Sequence, residues 1–121
     1  MKKKKSWDLN DQLMATAAHR YCLGRQSYIV GACIDWIRVN LENFDRNTVR
    51  VIARDTLESI IDETAGSKTI DEPGWMQLFK ELYGYMPEED RQWVLREVRY
   101  RNHMPRYNDI IKEITELKTS V

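Results

Sequence analysis

Apolar residues recur at three- and four-residue spacing along most of the chain, and that rhythm predicts helices. Leu13, Met14, Ala17, Ala18, Tyr21 and Cys22 make one stripe between Asn10 and Leu23. Gly24 can end that helix in the left-handed conformation, and Ser27 can cap the next. In the second helix Val30, Cys33, Ile34, Ile37 and Leu41 repeat the pattern with Trp36 to one side, until the polar turn at residues 43–47. Gly31 and Ala32 near its start would let another backbone come close. Asn47 or Thr48 can cap a third helix whose inner face is Val49, Ile52, Ala53, Thr56, Leu57, Ile60 and Ile61, ending at Gly66.

The sequence Asp71-Glu72-Pro73 opens a fourth helix through Trp75, Met76, Leu78, Phe79 and Leu82, which Gly84 terminates. Pro87-Glu88-Glu89-Asp90 opens the fifth, its acidic first turn suited to the positive end of a helix dipole. It runs through Trp93, Val94, Leu95, Val98 and Tyr100 to Asn102. Pro105 begins a sixth, with Tyr107, Ile110, Ile111, Ile114 and Leu117 on one side. No segment alternates as a strand would. The expectation is therefore an all-α fold: a single compact domain over residues 1–121, about six helices joined by short turns, with 1–6 a disordered basic tail.

Lys+Arg and Asp+Glu both number 19, so no overall field draws the protein onto nucleic acid or an anionic membrane. Charge is segregated instead, basic around 19–28 and 91–106 and acidic through 55–63, 71–72 and 88–90, which favours a local positive site. Lys2 to Lys5 is followed by the polar stretch Trp7 to Gln12 where a signal peptide would be apolar, and no window is long enough to span a membrane. A cytoplasmic protein is expected. Cys22 and Cys33 lack the paired spacing of a zinc site and read as free, buried thiols, with a disulfide between the two helices geometrically open.

The first helix-to-helix corner carries the strongest candidate chemistry. A helix N-terminus offers free N–H donors and partial positive charge to phosphate. There Arg20, Arg25 and Ser27 would hold the anion, while Tyr21 and Tyr28 would stack on a base or donate hydrogen bonds. The competing reading is that the arginines serve helix C-terminal carbonyls or acidic partners and the tyrosines fill core and boundary positions. In a second basic stretch, Arg96 to Tyr107, a helical face would bring Arg99 and His103 together as a second wall for the same ligand; solvated arginines are the alternative.

The corner invites comparison with helix-turn-helix units, yet Ile29, Val30, Ile34, Trp36 and Ile37 leave few side chains able to read base edges. A DNA-binding regulator is the lesser reading. His19 and His103 belong to no spacing that fixes a nucleophile or a metal. Asp55, Glu58 and Asp62 read as hard-metal ligands or, more simply, as a solvated acidic face. With no phosphate-binding glycine loop and no nucleophile elbow, the expectation is a non-enzyme without metal or cofactor.

The stretch from Arg20 to Ile29 resembles the Arg-Tyr-x-x-Gly-Arg-x-Ser-Tyr pattern of small helical proteins encoded by bacteriophages and prophages, and Trp75 in a short helix after an acidic turn is similar to them too. The resemblance implies a phage protein that counters bacterial defence by sequestering a nucleotide signal or by binding a host protein. Two readings follow. The first is an oligomeric protein that binds a phosphorylated small molecule through Arg20, Tyr21, Arg25, Ser27, Tyr28, Arg99 and His103. The second is a protein-interaction inhibitor of a host defence component, working through exposed aromatic residues.

Overall fold

In the computed structural model, which describes residues 7–23, 27–62, 72–101 and 112, five α-helices follow one another: α1 (Leu9–Cys22), α2 (Ser27–Val39), α3 (Arg46–Asp62), α4 (Glu72–Tyr85) and α5 (Glu88–Arg101). The protein is all-α, with five helices rather than six and no strand among the described residues. The helix expected from Pro105 lies outside those residues apart from Lys112, which is helical and exposed. The basic tail at 1–6 and the turn at 24–26 lie outside as well.

The strongest periodicity in the sequence builds the centre. Val49, Ile52, Ala53, Thr56, Leu57, Ile60 and Ile61 are all buried on α3, which packs against α1, α4 and α5. Asp45, rather than Asn47 or Thr48, caps this helix: its Oδ1 accepts from the Thr48 backbone N–H at 2.7 Å. That is the geometry of an N-cap side chain reaching the third helical residue. Trp75, Leu78, Phe79 and Leu82 carry α4 into the same core, joined by Val94 and Val98 of α5.

Helix α4 runs one residue past Gly84, because the stop comes from Pro87, which disfavours helical backbone in the residue before it. Across this corner the Arg91 Nε donates to the Tyr83 carbonyl at 2.6 Å and its Nη2 to the Gly84 carbonyl at 3.1 Å. One side chain of α5 thus occupies carbonyls that the end of α4 leaves open. Arg46 at the start of α3 forks onto the buried Asp90 of α5 at 3.0 and 2.7 Å. That pair sets the two N-termini side by side.

Helix α1 departs from expectation. A reciprocal capping box between Asp8 and Asp11 starts it, with the Asp11 N–H donating to Asp8 Oδ1 at 2.9 Å and the Asp8 N–H to Asp11 Oδ2 at 3.1 Å. Its inner face is Gln12, Ala15 and His19, with Cys22 half-buried; of the expected stripe, Leu13, Met14, Ala17, Ala18 and Tyr21 are exposed. The reason is that the polar residues find partners inside. The Gln12 amide donates to the Asn43 carbonyl at 2.8 Å and accepts from the Asp45 N–H at 3.1 Å, while His19 bonds Thr56. With 3.6 residues per turn, docking positions 12, 15 and 19 inward turns 10, 13, 14 and 17 outward.

Helix α2 buries Val30, Cys33, Ile34 and Ile37 as its pattern requires. It is followed by a turn of 3-10 helix, Leu41–Asn43, and then by the buried Phe44. Trp7 packs against both Phe44 and Trp36, with ring centroids 5.6 and 6.3 Å apart. The residue just ahead of α1 is thereby fixed to the end of α2.

Candidate functional site

The corner expected to hold phosphate is only partly within the described residues. Arg20 Nη2 sits 3.3 Å from Asp55 Oδ2, and the same carboxylate also accepts from Arg54 Nε at 3.3 Å. The Arg20 guanidinium therefore faces a carboxylate of α3, with about two-thirds of its side chain still exposed. Tyr21 beside it is exposed. Arg25 and His103 lie outside the described residues, as do the side chains of Ser27, Tyr28 and Arg99; Ser27 does open α2, and Arg99 lies within α5. Asp55 belongs to this ion-pair chain, and among the described residues no three His, Cys, Asp or Glu groups gather as a metal site.

A second polar cluster is sealed in the core. The Thr56 hydroxyl donates to the Ile52 carbonyl at 2.7 Å, so its oxygen must accept from His19 Nε2 at 2.8 Å. His19 is thereby the neutral tautomer with its proton on Nε2. Its ring stands edge-on to Trp75, centroids 5.3 Å apart, and neither His19 Nδ1 nor Trp75 Nε1 has a partner among the described residues. Burial pushes the His19 pKa down to about 4; Asp55 pulls it up and Arg20 adds a smaller downward push. No atom of this ring is open to solvent, so it is placed to brace α1 on α3 and not to exchange protons with a substrate.

The open surface is the outer side of the α1–α2 hairpin. Helix α1 meets α2 at both of its own ends, through the Cys22 thiol against the Cys33 thiol and, just ahead of the helix, through Trp7 against Trp36 one turn further along α2. Burial, reinforced by the hydrogen bond with Cys22, raises the pKa of the Cys33 thiol, and both cysteines are free. On the outside, α1 presents Leu9 (71% exposed), Leu13 (57%) and Met14 (65%) with Ala17 and Ala18, while α2 presents Ala32, Trp36 (39%) and Val39 (80%). Residues 32, 36 and 39 keep the four-then-three spacing of a helix-pairing seam. Gly31 is exposed next to them, and a Cβ built there meets nothing within 4 Å.

With the exposed Tyr21, these residues put six large hydrophobic side chains, Leu9, Leu13, Met14, Tyr21, Trp36 and Val39, on the outer sides of two adjoining helices. Charge is confined to the rim. Asp35 pairs with Arg38 at 3.6 Å, and Arg38 also forks onto Glu81 of α4 at 2.7 and 2.9 Å. By contrast, a hollow lined by Phe44, Arg46, Val49, Tyr85, Met86, Pro87 and Asp90 measures about 70 Å³, room for a few waters and far short of a nucleotide site.

Reading the apolar stripe of α1 as core concealed this surface. The signal that could have revealed it was the rival set Gln12, Ala15 and His19, equally helical in spacing and equipped with hydrogen-bonding groups. Choosing between the two arcs required knowing that Asn43, Asp45 and Thr56 would be there to receive them. Comparison with protein families, curated proteins and solved structures finds no match for this chain.

Proposed function

We infer that this protein works by docking onto another polypeptide, without chemistry of its own, and that the outer face of the α1–α2 hairpin is its working surface. One observation carries the reading: α1 turns Leu9, Leu13 and Met14 outward while burying Gln12 and His19. Apolar side chains left in water on one continuous stretch of helix, when polar ones are taken inside, suit a helix that meets a partner. An extended apolar patch between helices accepts a helical or hairpin surface better than it accepts a charged small molecule. The resemblance of residues 20–29 to phage helical proteins gives this reading a biological form, a small protein that occupies a surface of a host defence component.

Binding of a phosphorylated small molecule is less well supported, because the Arg20 guanidinium already faces the Asp55 carboxylate. The test is co-purification from the natural host with Met14→Glu and Val39→Glu as comparators. Both positions are exposed, so both variants should fold with unchanged melting temperature. A polypeptide recovered in stoichiometric amount with the wild type and lost from both variants supports the reading. Full biological effect retained by folded variants overturns it.

A further inference from the structure

We propose that Cys22 and Cys33 are a redox latch: a low-molecular-weight disulfide oxidises them to one intramolecular disulfide that fastens the last turn of α1 to α2. Both cysteines are free, and each helix of the hairpin carries one. Cys22 falls three residues beyond His19, on the arc of α1 that faces inward with Gln12, Ala15 and His19. Cys33 shares the buried arc of α2 with Val30, Ile34 and Ile37. The helices pack on each other, and the two thiols are in hydrogen-bond contact. A sulfur–sulfur bond is about 2 Å long, so thiols that already touch have little distance left to close.

Unequal exposure sets the order of events. Cys22 is half-buried and within reach of a small reagent, whereas Cys33 is buried. Burial and the hydrogen bond with Cys22 hold the Cys33 thiol well above the ordinary cysteine value, so Cys33 does not start the reaction. The Cys22 thiolate, its proton given to water, attacks one sulfur of the small disulfide. That sulfur–sulfur bond breaks, leaving a mixed disulfide on Cys22 and one small thiolate, which takes up a proton. Cys33 then gives its proton to the departing group and attacks the Cys22 sulfur, forming the protein disulfide and expelling a second small thiol. Two protein thiols are oxidised, and one small disulfide is reduced to two small thiols.

The position of the bond gives it a consequence. Helix α1 is held inward largely by polar bonds, from Gln12 to residues 43 and 45 and from His19 to Thr56. A bond between positions 22 and 33 closes only the short loop between them, yet it denies the last turn of α1 the freedom to leave α2 in a partly unfolded state. Opening of α1 should slow accordingly. Both sulfurs lie between the helices and not on the outer face, so the latch operates independently of any partner docked there.

The test exposes the full chain to glutathione disulfide and follows it by mass spectrometry under denaturing, non-reducing conditions. The wild type should end as a single chain lighter by two hydrogens, with no free thiol, and dithiothreitol should reverse the change. Cys33→Ala should stop at the mixed disulfide on Cys22, while folded Cys22→Ala should leave Cys33 unreacted. Amide exchange across α1 should slow at least about tenfold in the bridged protein and recover on reduction.

A wild type that keeps both thiols, stops at the mixed disulfide or cross-links into dimers overturns the latch. So does a bridge that forms without slowing exchange in α1. Folded Cys22→Ala that reacts at Cys33 as fast as the wild type overturns the order of attack. If either variant unfolds, the wild-type mass and exchange readings decide alone.

Discussion

Acidification from pH 7 to pH 4.5 should remove about 2 kcal/mol of folding free energy through His19 alone. The imidazole is fully buried, and desolvation lowers its pKa from 6.5 to about 4. Because the folded-state value is the depressed one, the unfolded chain takes up the proton first. The stability is complete above the unfolded pKa and drains away as the pH falls toward 4. At pH 4.5 the unfolded imidazole is almost wholly charged and the folded one about a quarter charged, which gives the quoted figure.

Urea unfolding followed by tryptophan fluorescence, with Trp75 in the core as a reporter, measures the loss at the two pH values. His19→Gln is the comparator. Its amide can still donate to Thr56 but gains no proton, so its loss over the same range should be smaller by about 2 kcal/mol. Asp90 and Glu81, held below the usual carboxylate range by hydrogen bonds from Arg46 and Arg38, are common to both proteins and cancel. Equal losses in the two proteins, or an NMR titration of the ring near pH 6.5, would refute the reasoning.

Leu57→Ala should cost about 2–5 kcal/mol in chemical denaturation, whereas Leu13→Ala, the same change on an exposed position, should cost under about 0.5 kcal/mol in dilute solution. Arg91→Ala removes both bonds to the end of α4 and should lower stability by about 1–3 kcal/mol; Arg91→Lys, lacking the fork, should restore only part of the melting temperature. Asp8→Ala dismantles the capping box and should cost about 0.5–2 kcal/mol, read as faster amide exchange in the first turn of α1. A panel of cyclic and ADP-ribose-type nucleotides should leave the melting temperature unchanged. A rise that Arg25→Ala abolishes would instead establish a phosphate site at the first corner.

What the sequence revealed, and what it hid, follows from how many arcs each helix offers for burial. Helix α3 has one apolar arc flanked by Arg50, Arg54 and Glu58, so both its existence and its inward face could be read from spacing. The start of α5 was equally plain, because Pro87 and three acidic residues announce a helix N-terminus. Helix α1 offered two arcs, and hydrophobicity favoured the wrong one. The deciding interactions, Gln12 with residues 43 and 45 and His19 with Thr56, span more than thirty positions and leave no local trace. The pairing of Arg20 with Asp55 was hidden in the same way, since both residues were legible as charges and neither as a partner of the other.

The fastening of α1 has a kinetic consequence. Most of what this helix commits to the interior is an amide, an imidazole and one methyl group, so peeling it away exposes little oil to water. The α4–α5 corner, by contrast, is bracketed by Arg91 and embedded through Trp75, Phe79 and Val94. Partial unfolding of this molecule should therefore begin at the front of the chain, with α1 lifting as a unit while the three later helices stay folded around one another.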